Sequence, residues 1–507
     1  MKTYLMYPDA EFIIDNEFYE GYTLLMKDLE LQVLFDAMSD GDDFLEAVVK
    51  KAFSSPMTEV QEIEYRQAVL KDVIENQETV ENMYETVVNC IMMEKEKLHY
   101  GLFGHYPSAV LHQSLTYTRF LLEHLRKLRA TAEVNIDKFH SSGFRRLMKL
   151  LISELNEDYL SEIEKKLKEM TFKRGVSISA ELGAGNKARK YILRKVIHPE
   201  RWQWLHRIFN HERDFYTVTI APRDDNGARA LSDLQDQGII LIANAMAQAT
   251  AHLLSFFNSL RAEIGFYIAC LNLSKKLFSR NIHISLPVPI QKGERHLVFD
   301  SLYDTCLTLL SDENIVSNNL KTDNKSTLII TGANQGGKST FLRSVGLAQL
   351  MMQIGMFVTA GYFSSDVSRR IFTHYKCEED STITSGKLDE ELKRMSNIID
   401  KLRYDDLVLF NESFSATNSR EGAEIIRNIV TALTESNVKV LFVTHTSEFA
   451  CEYFSENHND TVFLSAQREQ NGGRTYKIFP GEPQDTSYGE DLFNEIFFEE
   501  HLISKAG

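Results

Sequence analysis

The chain has 507 residues, 43% of them hydrophobic and 25% charged, with 56 Lys and Arg against 72 Asp and Glu, a net charge of -16. That length supports several domains whose cores need no disulfide staples. The acidity excludes a protein that coats nucleic acid indiscriminately, but a local basic patch can still bind it. The five cysteines, Cys90, Cys270, Cys306, Cys377 and Cys451, form no CxxC pair, so neither a disulfide frame nor a zinc site is expected. The N-terminus lacks the basic-then-apolar order of a signal peptide, and no run of about 18 apolar residues stands out. No membrane span and a cytoplasmic location are the expectation.

Residues 1–170 are rich in helix formers, with charged and apolar residues interleaved. Leu29, Leu31, Val33, Leu34, Ala37 and Met38 space out an early amphipathic helix, and Glu59 to Leu98, free of Gly and Pro, reads as one long helix. The texture changes over 171–225, where Tyr216, Val218 and Ile220 alternate with threonines and predict a strand before the turn residues Pro222 to Gly227. This insert carries Lys187, Arg189, Lys190, Arg194 and Lys195, and both tryptophans, Trp202 and Trp204. A solvated basic face and a surface for a nucleic-acid backbone are both open readings of that charge. Residues 226–320 follow as a connector. Their stretch from Ala228 to about Asn281 contains no proline and predicts a helix of some 50 residues, ~75 Å long at ~1.5 Å per residue. A proline-marked break, ISLPVPIQKG, ends it, and the last domain spans 321–507.

That domain holds the strongest motif, Thr331-Gly-Ala-Asn-Gln-Gly-Gly-Lys-Ser-Thr340, which fits GxxxxGK[ST] between an apolar strand (326–330) and a helix (341–352). Glycines let the backbone N–H groups converge on phosphate oxygens, and the helix N-terminus adds partial positive charge. Gly332, Asn334, Gln335, Gly336, Gly337, Lys338, Ser339 and Thr340 are therefore the candidate ATP contacts, with Lys338 reaching the outer phosphates and Ser339 offering an oxygen to Mg²⁺. Some 70 residues on, the apolar run Leu407 to Phe410 ends in Asn411-Glu412. A phosphate-binding sheet usually places Asp where Asn411 stands, so a Mg²⁺ contact there goes through water and hydrolysis slows. Glu412 is the candidate base for the attacking water. A third strand, 438–445, ends in His445, a candidate sensor of the terminal phosphate.

With the three motifs in order, TGANQGGKSTFLRSVGLAQLMMQIGMFVTA, NESFSATNSREGAEI and ValThrHis with Ser447-Glu448 resemble the DNA mismatch-repair MutS family, well over 296–495 and more weakly upstream. The resemblance implies an α/β plus all-α protein. Its C-terminal P-loop domain would be of the ABC type, preceded by a helical core and lever, with a small mixed clamp-like insert. It also implies a homodimer with composite sites. Ser385 would then reach the partner's nucleotide in trans, and Ile315, Val316 and Asn318 would pack the adenine. In the insert, Lys187, Arg189, Lys190, Arg194 and Lys195 would contact DNA. Phe18-Tyr19-Glu20 resembles the family's mismatch-reading Phe-x-Glu, but core-like helices begin within ten residues of it, so a short member without the reading domain is expected. The leading expectation is a Mg²⁺-dependent ATPase clamp that binds mismatched, branched or damaged DNA. The alternative is a nucleotide-gated interaction protein with weak hydrolysis, which Asn411 and the net charge favour. A transport or chromosome-organising ATPase is disfavoured, because the chain has neither a Leu-Ser-Gly-Gly-Gln signature nor a long heptad run.

Overall fold

The computed structural model describes residues 2–14, 21–98, 106–172, 175–194, 218–333, 335–376, 386–415, 417–468 and 474–483. The helices and strands run in this order. First come α1 (Tyr22–Asp28), α2 (Leu31–Ser39), α3 (Asp43–Phe53), α4 (Val60–Glu75), α5 (Gln77–Leu98), α6 (Pro107–Asn135), α7 (Ser142–Lys149) and α8 (Glu157–Glu169). Then follow β1 (Ser177–Leu182), β2 (Ala188–Arg194), α9 (Asp225–Ser279), β3 (Val288–Ile290), β4 (Leu297–Leu302), α10 (Thr305–Leu310), β5 (Asn318–Thr322) and β6 (Thr327–Thr331). The last are α11 (Lys338–Gln353), β7 (Tyr362–Asp366), β8 (Ile371–Tyr375), α12 (Lys387–Ile399), β9 (Leu407–Asn411), α13 (Ser419–Glu435), β10 (Lys439–Val443), α14 (Ser447–Ser455), β11 (Thr461–Arg468) and β12 (Arg474–Pro480).

Two compact units result. One comprises Met1–Thr3, Glu81–Asp137 and Arg145–Arg261; the other comprises Tyr4–Val80, Lys138–Phe144 and Ala262–Gly507. Residues 4–80 thus group with the P-loop domain, and the division of α9 falls at 261/262.

In the first unit, α6 is tied to α8 by Arg126, whose guanidinium meets Glu157 at 3.1 Å and also pairs with Glu164. It is tied to α9 by a hydroxyl pair, Thr118 to Thr250 at 2.9 Å, and by the Ser108 N–H, which donates to Asp236 at 3.0 Å. The antiparallel hairpin β1–β2 packs against α9 where Gly238 has no side chain: a Cβ there would stand 2.3 Å from Ile178 Cδ1. A glycine that costs helix propensity is explained by this close approach. The strand expected at Val218–Ile220 is absent; those residues are irregular, followed by a turn and then α9, while Tyr216 lies outside the described residues. Among the described residues Val218 and Ile220 have no ladder partner. By length and composition α9 could also cross a membrane: one 18-residue window has mean hydropathy 1.5, with 22% of it buried. The sequence suggested no such segment, because this window mixes its apolar residues with small and uncharged polar ones.

In the second unit, a six-stranded sheet runs β12-β11-β6-β10-β9-β8, parallel except for β12. Its central strands β6, β9 and β10 carry runs of three or four consecutive apolar residues because both faces are covered. Val408, Phe410, Val440 and Phe442 pack with Met395 of α12, with Ile426 and Val430 of α13, and with Phe449 of α14. Leu409 lies against α11 at Gly346, where a Cβ would be 2.6 Å from Leu409 Cδ1. A smaller sheet, β3-β7-β4-β5, adjoins in the same unit. The stretch from Glu59 to Leu98 is two helices and not one. The break at Asn76 coincides with the docking of 138–141, where the Asp72 carboxylate accepts the His140 and Ser141 N–H groups at 2.8–3.0 Å and Asn76 donates to Lys138 O.

Arg66 of α4 is fully buried and pairs with carbonyls: its Nε donates to Met6 O and its Nη1 to Ile354 O, both at 3.0 Å, and its guanidinium lies 4.5 Å from the centre of the Tyr7 ring. It holds the end of α11 against α4. Gly355, directly after that end, has φ +72°, and a Cβ there would stand 2.7 Å from Arg66 Cβ. Gly355→Ala is expected to lower stability by about 1–3 kcal/mol through left-handed strain and the clash. Chemical denaturation measures this, and an unchanged midpoint would contradict the packing described.

Candidate functional site

The sheet register aligns the three motifs. Across the parallel strands Ile330 pairs with Val443, and Val443 with Asn411. The next residues of β6, β9 and β10 therefore leave the sheet along one edge, the carboxyl edge where α/β folds open their crevices. From β6 the chain turns through Gly332 (φ +114°), Gln335 (φ +59°) and Gly337 (φ +89°) into α11. Two glycines are required by proximity as well: a Cβ on Gly332 would be 2.9 Å from the backbone N of Ala466, and one on Gly336 would be 2.9 Å from Ala466 Cβ.

Lys338 is 4% exposed, and its ammonium donates to Gly332 O at 2.8 Å and Ala333 O at 2.9 Å. Burial holds its pKa below the usual lysine range, against the opposing pull of the Glu412 carboxylate. Ser339 Oγ donates to Asn411 Oδ1 at 2.8 Å, so the amide oxygen occupies the acceptor role a carboxylate would fill. Glu412 follows in the left-handed region (φ +53°), as does Phe414 (φ +62°), and each such non-glycine residue costs about 1–3 kcal/mol. The Glu412 N–H donates to Val443 O at 2.9 Å, and its carboxylate stands 3.9 Å from His445 Nδ1.

A cavity of about 330 Å³ opens over this edge. Gln335, Gly336, Gly337, Lys338, Ser339, Thr340 and Glu412 line one part of it, and Ile315, Val316 and Asn318 another. Gly332, Asn411 and His445 do not line it; Gly332 and Asn411 bond the lining residues Lys338 and Ser339, and His445 lies 3.9 Å from Glu412. Asn334 and Ser385 lie outside the described residues. One wall was not singled out from the sequence. Tyr476 of β12 lines the cavity with φ +56°, and its Cα lies 3.6 Å from where a Gly337 Cβ would be. The Asn318 side chain fixes that strand, donating to Tyr476 O at 3.3 Å and accepting from Ile478 N–H at 2.8 Å. Asn318 and Ile478 are 160 residues apart, so no local pattern could announce the pair.

The residues present fit a Mg²⁺-bound nucleotide: glycines placed where side chains cannot go, a buried ammonium, and a serine hydroxyl aimed at an amide oxygen beside a carboxylate. Among the described residues no group of three or more His, Cys, Asp or Glu could hold a metal ion.

The basic insert is only partly described. Lys187, Arg189, Lys190 and Arg194 lie on the β1–β2 hairpin, whereas Lys195, Trp202 and Trp204 fall outside the described residues. Lys190 pairs with Glu181 at 2.9 Å and Arg189 approaches the same carboxylate at 3.9 Å; Arg194 Nε donates to Ser179 Oγ. Phe18-Tyr19-Glu20 is also outside the described residues.

Two family models match the chain: the MutS2 N-terminal domain over residues 58–280 and MutS domain V over 328–507. The chain belongs to the MutS family. It is 26% identical to a DNA mismatch repair protein MutS of Thermotoga petrophila, over 100% of this chain and 60% of that protein. It is 26% identical to that of Thermotoga sp. (strain RQ2), over 88% and 54%. It is 30% identical to the MutS protein homolog 4 of Homo sapiens, over 35% and 20%. The chain thus spans little more than half the length of the bacterial relatives it matches. The domain V match contains the P-loop, Asn411-Glu412 and His445, and the MutS2 N-terminal match contains the hairpin and all of α9.

Gly332→Ala is expected to weaken ATP binding about ten- to hundredfold, since its Cβ meets the β11 backbone and its φ becomes strained. Calorimetric titration with ATP checks this, and an unaltered affinity would mean that the turn does not hold the phosphates.

Proposed function

We propose that this MutS-family chain binds and hydrolyses ATP at the cavity over the sheet's carboxyl edge and couples that cycle to DNA. The observation that carries the reading is the convergence of Lys338, Ser339 and Glu412, from two strand ends, on one cavity lined by a glycine turn. The backbone N–H groups of 335–339 accept the phosphates into the turn, and Lys338 exchanges its carbonyl partners for phosphate oxygens. Ser339, with Asn411 behind it, is the ligand side for Mg²⁺, which when bound neutralises phosphate charge. Glu412 takes a proton from the water that attacks the terminal phosphorus, the bond to the bridging oxygen breaks, and ADP and phosphate leave. His445, 3.9 Å from the Glu412 carboxylate, is placed to sense the terminal phosphate beside it. Ile315 and Val316 give the base an apolar wall.

The basic hairpin and the long α9 support DNA as the partner. Lys and Arg on a two-stranded projection neutralise backbone phosphates without reading sequence. A homodimer, with ATP joining two such sites, and a preference for mismatched, branched or damaged duplex belong to this proposal and rest on the family. One observation favours a second reading, a nucleotide-gated interaction protein with weak turnover. Asn411 brings no charge to the Ser339 contact, and neutral acceptors bind less strongly than carboxylates.

Glu412→Ala is expected to keep ATP affinity and lower turnover by about 10²–10⁴-fold. Phosphate release together with ATP titration tests it; normal turnover would remove Glu412 from the role of base. Replacing Lys187, Arg189, Lys190 and Arg194 by Glu is expected to weaken duplex binding. It should also flatten the slope of log K against log salt by about 0.9 for each DNA phosphate that the hairpin no longer neutralises. An unchanged slope would separate the hairpin from DNA.

A further inference from the structure

We propose that Glu391 of α12 is a positioning residue for Glu412, an inference that rests on the ATPase reading above. The loop that follows β9 places Glu412 and Phe414 in left-handed backbone, with Ser413 between them. None of the three is glycine, the residue that adopts left-handed backbone without strain. Among the described residues the Phe414 N–H has no backbone acceptor. It donates instead to Glu391 Oε2 at 2.6 Å, and Glu391 is 2% exposed. Burial raises the Glu391 pKa, and the bond from the Phe414 amide works against that rise.

A second contact acts on the same loop. Ser413 is 1% exposed and donates to His374 O at 2.5 Å, while His374 Nδ1 lies 2.7 Å from Ser413 Oγ and its ring stacks on Phe414 at 5.0 Å. His374 Nε2 is in turn 3.1 Å from Glu391 O. The loop is thus held by one residue of β8 and one of α12, and Glu391 touches both the loop amide and the histidine. Glu391 does not line the cavity, so it acts through the loop. Removing its acceptor leaves a buried amide unpaired where the backbone is left-handed, and the loop relaxes away from the geometry that aims Glu412. Nucleotide binding by the glycine turn does not depend on that geometry.

The test is steady-state ATP turnover of the full chain as wild type, Glu391→Met and Glu391→Gln, with thermal melting alongside. Methionine fills the same space without an acceptor, whereas glutamine keeps a carbonyl oxygen for the Phe414 amide. The proposal expects Glu391→Met to lower kcat at least tenfold with the KM for ATP within twofold, and Glu391→Gln to restore kcat to within threefold of wild type. Turnover by Glu391→Met within twofold of wild type overturns it. So does a glutamine variant as impaired as the methionine one, or a loss confined to KM. If the methionine variant does not fold, the glutamine variant decides: restored kcat with slow hydrogen exchange at the Phe414 amide supports the proposal, and a tenfold loss of kcat with normal KM overturns it. A wild type without ATP turnover overturns the ATPase reading and this inference together, whereas a working wild type matched by Glu391→Met overturns this inference alone.

Discussion

The alignment of strand ends is the constraint on which the rest of the structure depends. In a parallel sheet the register of neighbouring strands fixes which residues leave it side by side. Here Ile330, Val443 and Asn411 share one row across three adjacent strands. A one-residue slip of β9 would turn its side chains to the opposite faces and pull Glu412 away from the glycine turn. The register is held by burial on both faces. Leu407 and Leu409 alternate with Val408 and Phe410, and every one of the four is at most 2% exposed. The apolar core therefore does more than stabilise the domain: it sets the distances between chemical groups supplied by distant parts of the chain.

On that edge the polar groups form a short relay. Ser339 bonds Asn411, Glu412 neighbours Asn411 in the chain and faces His445, and Lys338 folds onto the carbonyls at the start of its own turn. The strain at Glu412 and Phe414 has a physical counterweight in the bond that Glu391 accepts from the Phe414 amide and in the contacts of His374. Strained backbone persists only where its surroundings determine it, and here those surroundings are buried side chains of β8 and α12. Arg66 plays a comparable part at the other end of α11, where it bonds two carbonyls and lies against an aromatic face.

Much of this was legible in the sequence because the motif is local. GxxxxGK[ST] writes strand, turn and helix into consecutive residues, and the apolar runs before Asn411 and His445 announce two more buried strands. Ile315, Val316 and Asn318, which the family resemblance implies would pack the adenine, line the same cavity. Tyr476, Glu391, His374 and Arg66 were not legible, since each acts through partners dozens to hundreds of residues away. Local pattern also misled in two places. Absence of Gly and Pro did not keep Glu59 to Leu98 continuous, because docking of 138–141 coincides with a break at Asn76. Alternation at Val218 and Ile220 made no strand, while the hairpin formed upstream at β1 and β2, where its side chains pack on α9.

The central claim is that the glycine turn holds a nucleotide's phosphates while Glu412 faces the terminal one. A crystal structure with Mg²⁺ and a non-hydrolysable ATP analogue tests it most directly. The account predicts phosphate density against the amides of 335–339, the ion at Ser339, and the Glu412 carboxylate directed at the terminal phosphate. Phosphates bound elsewhere, or Glu412 turned away from an occupied turn, would contradict it.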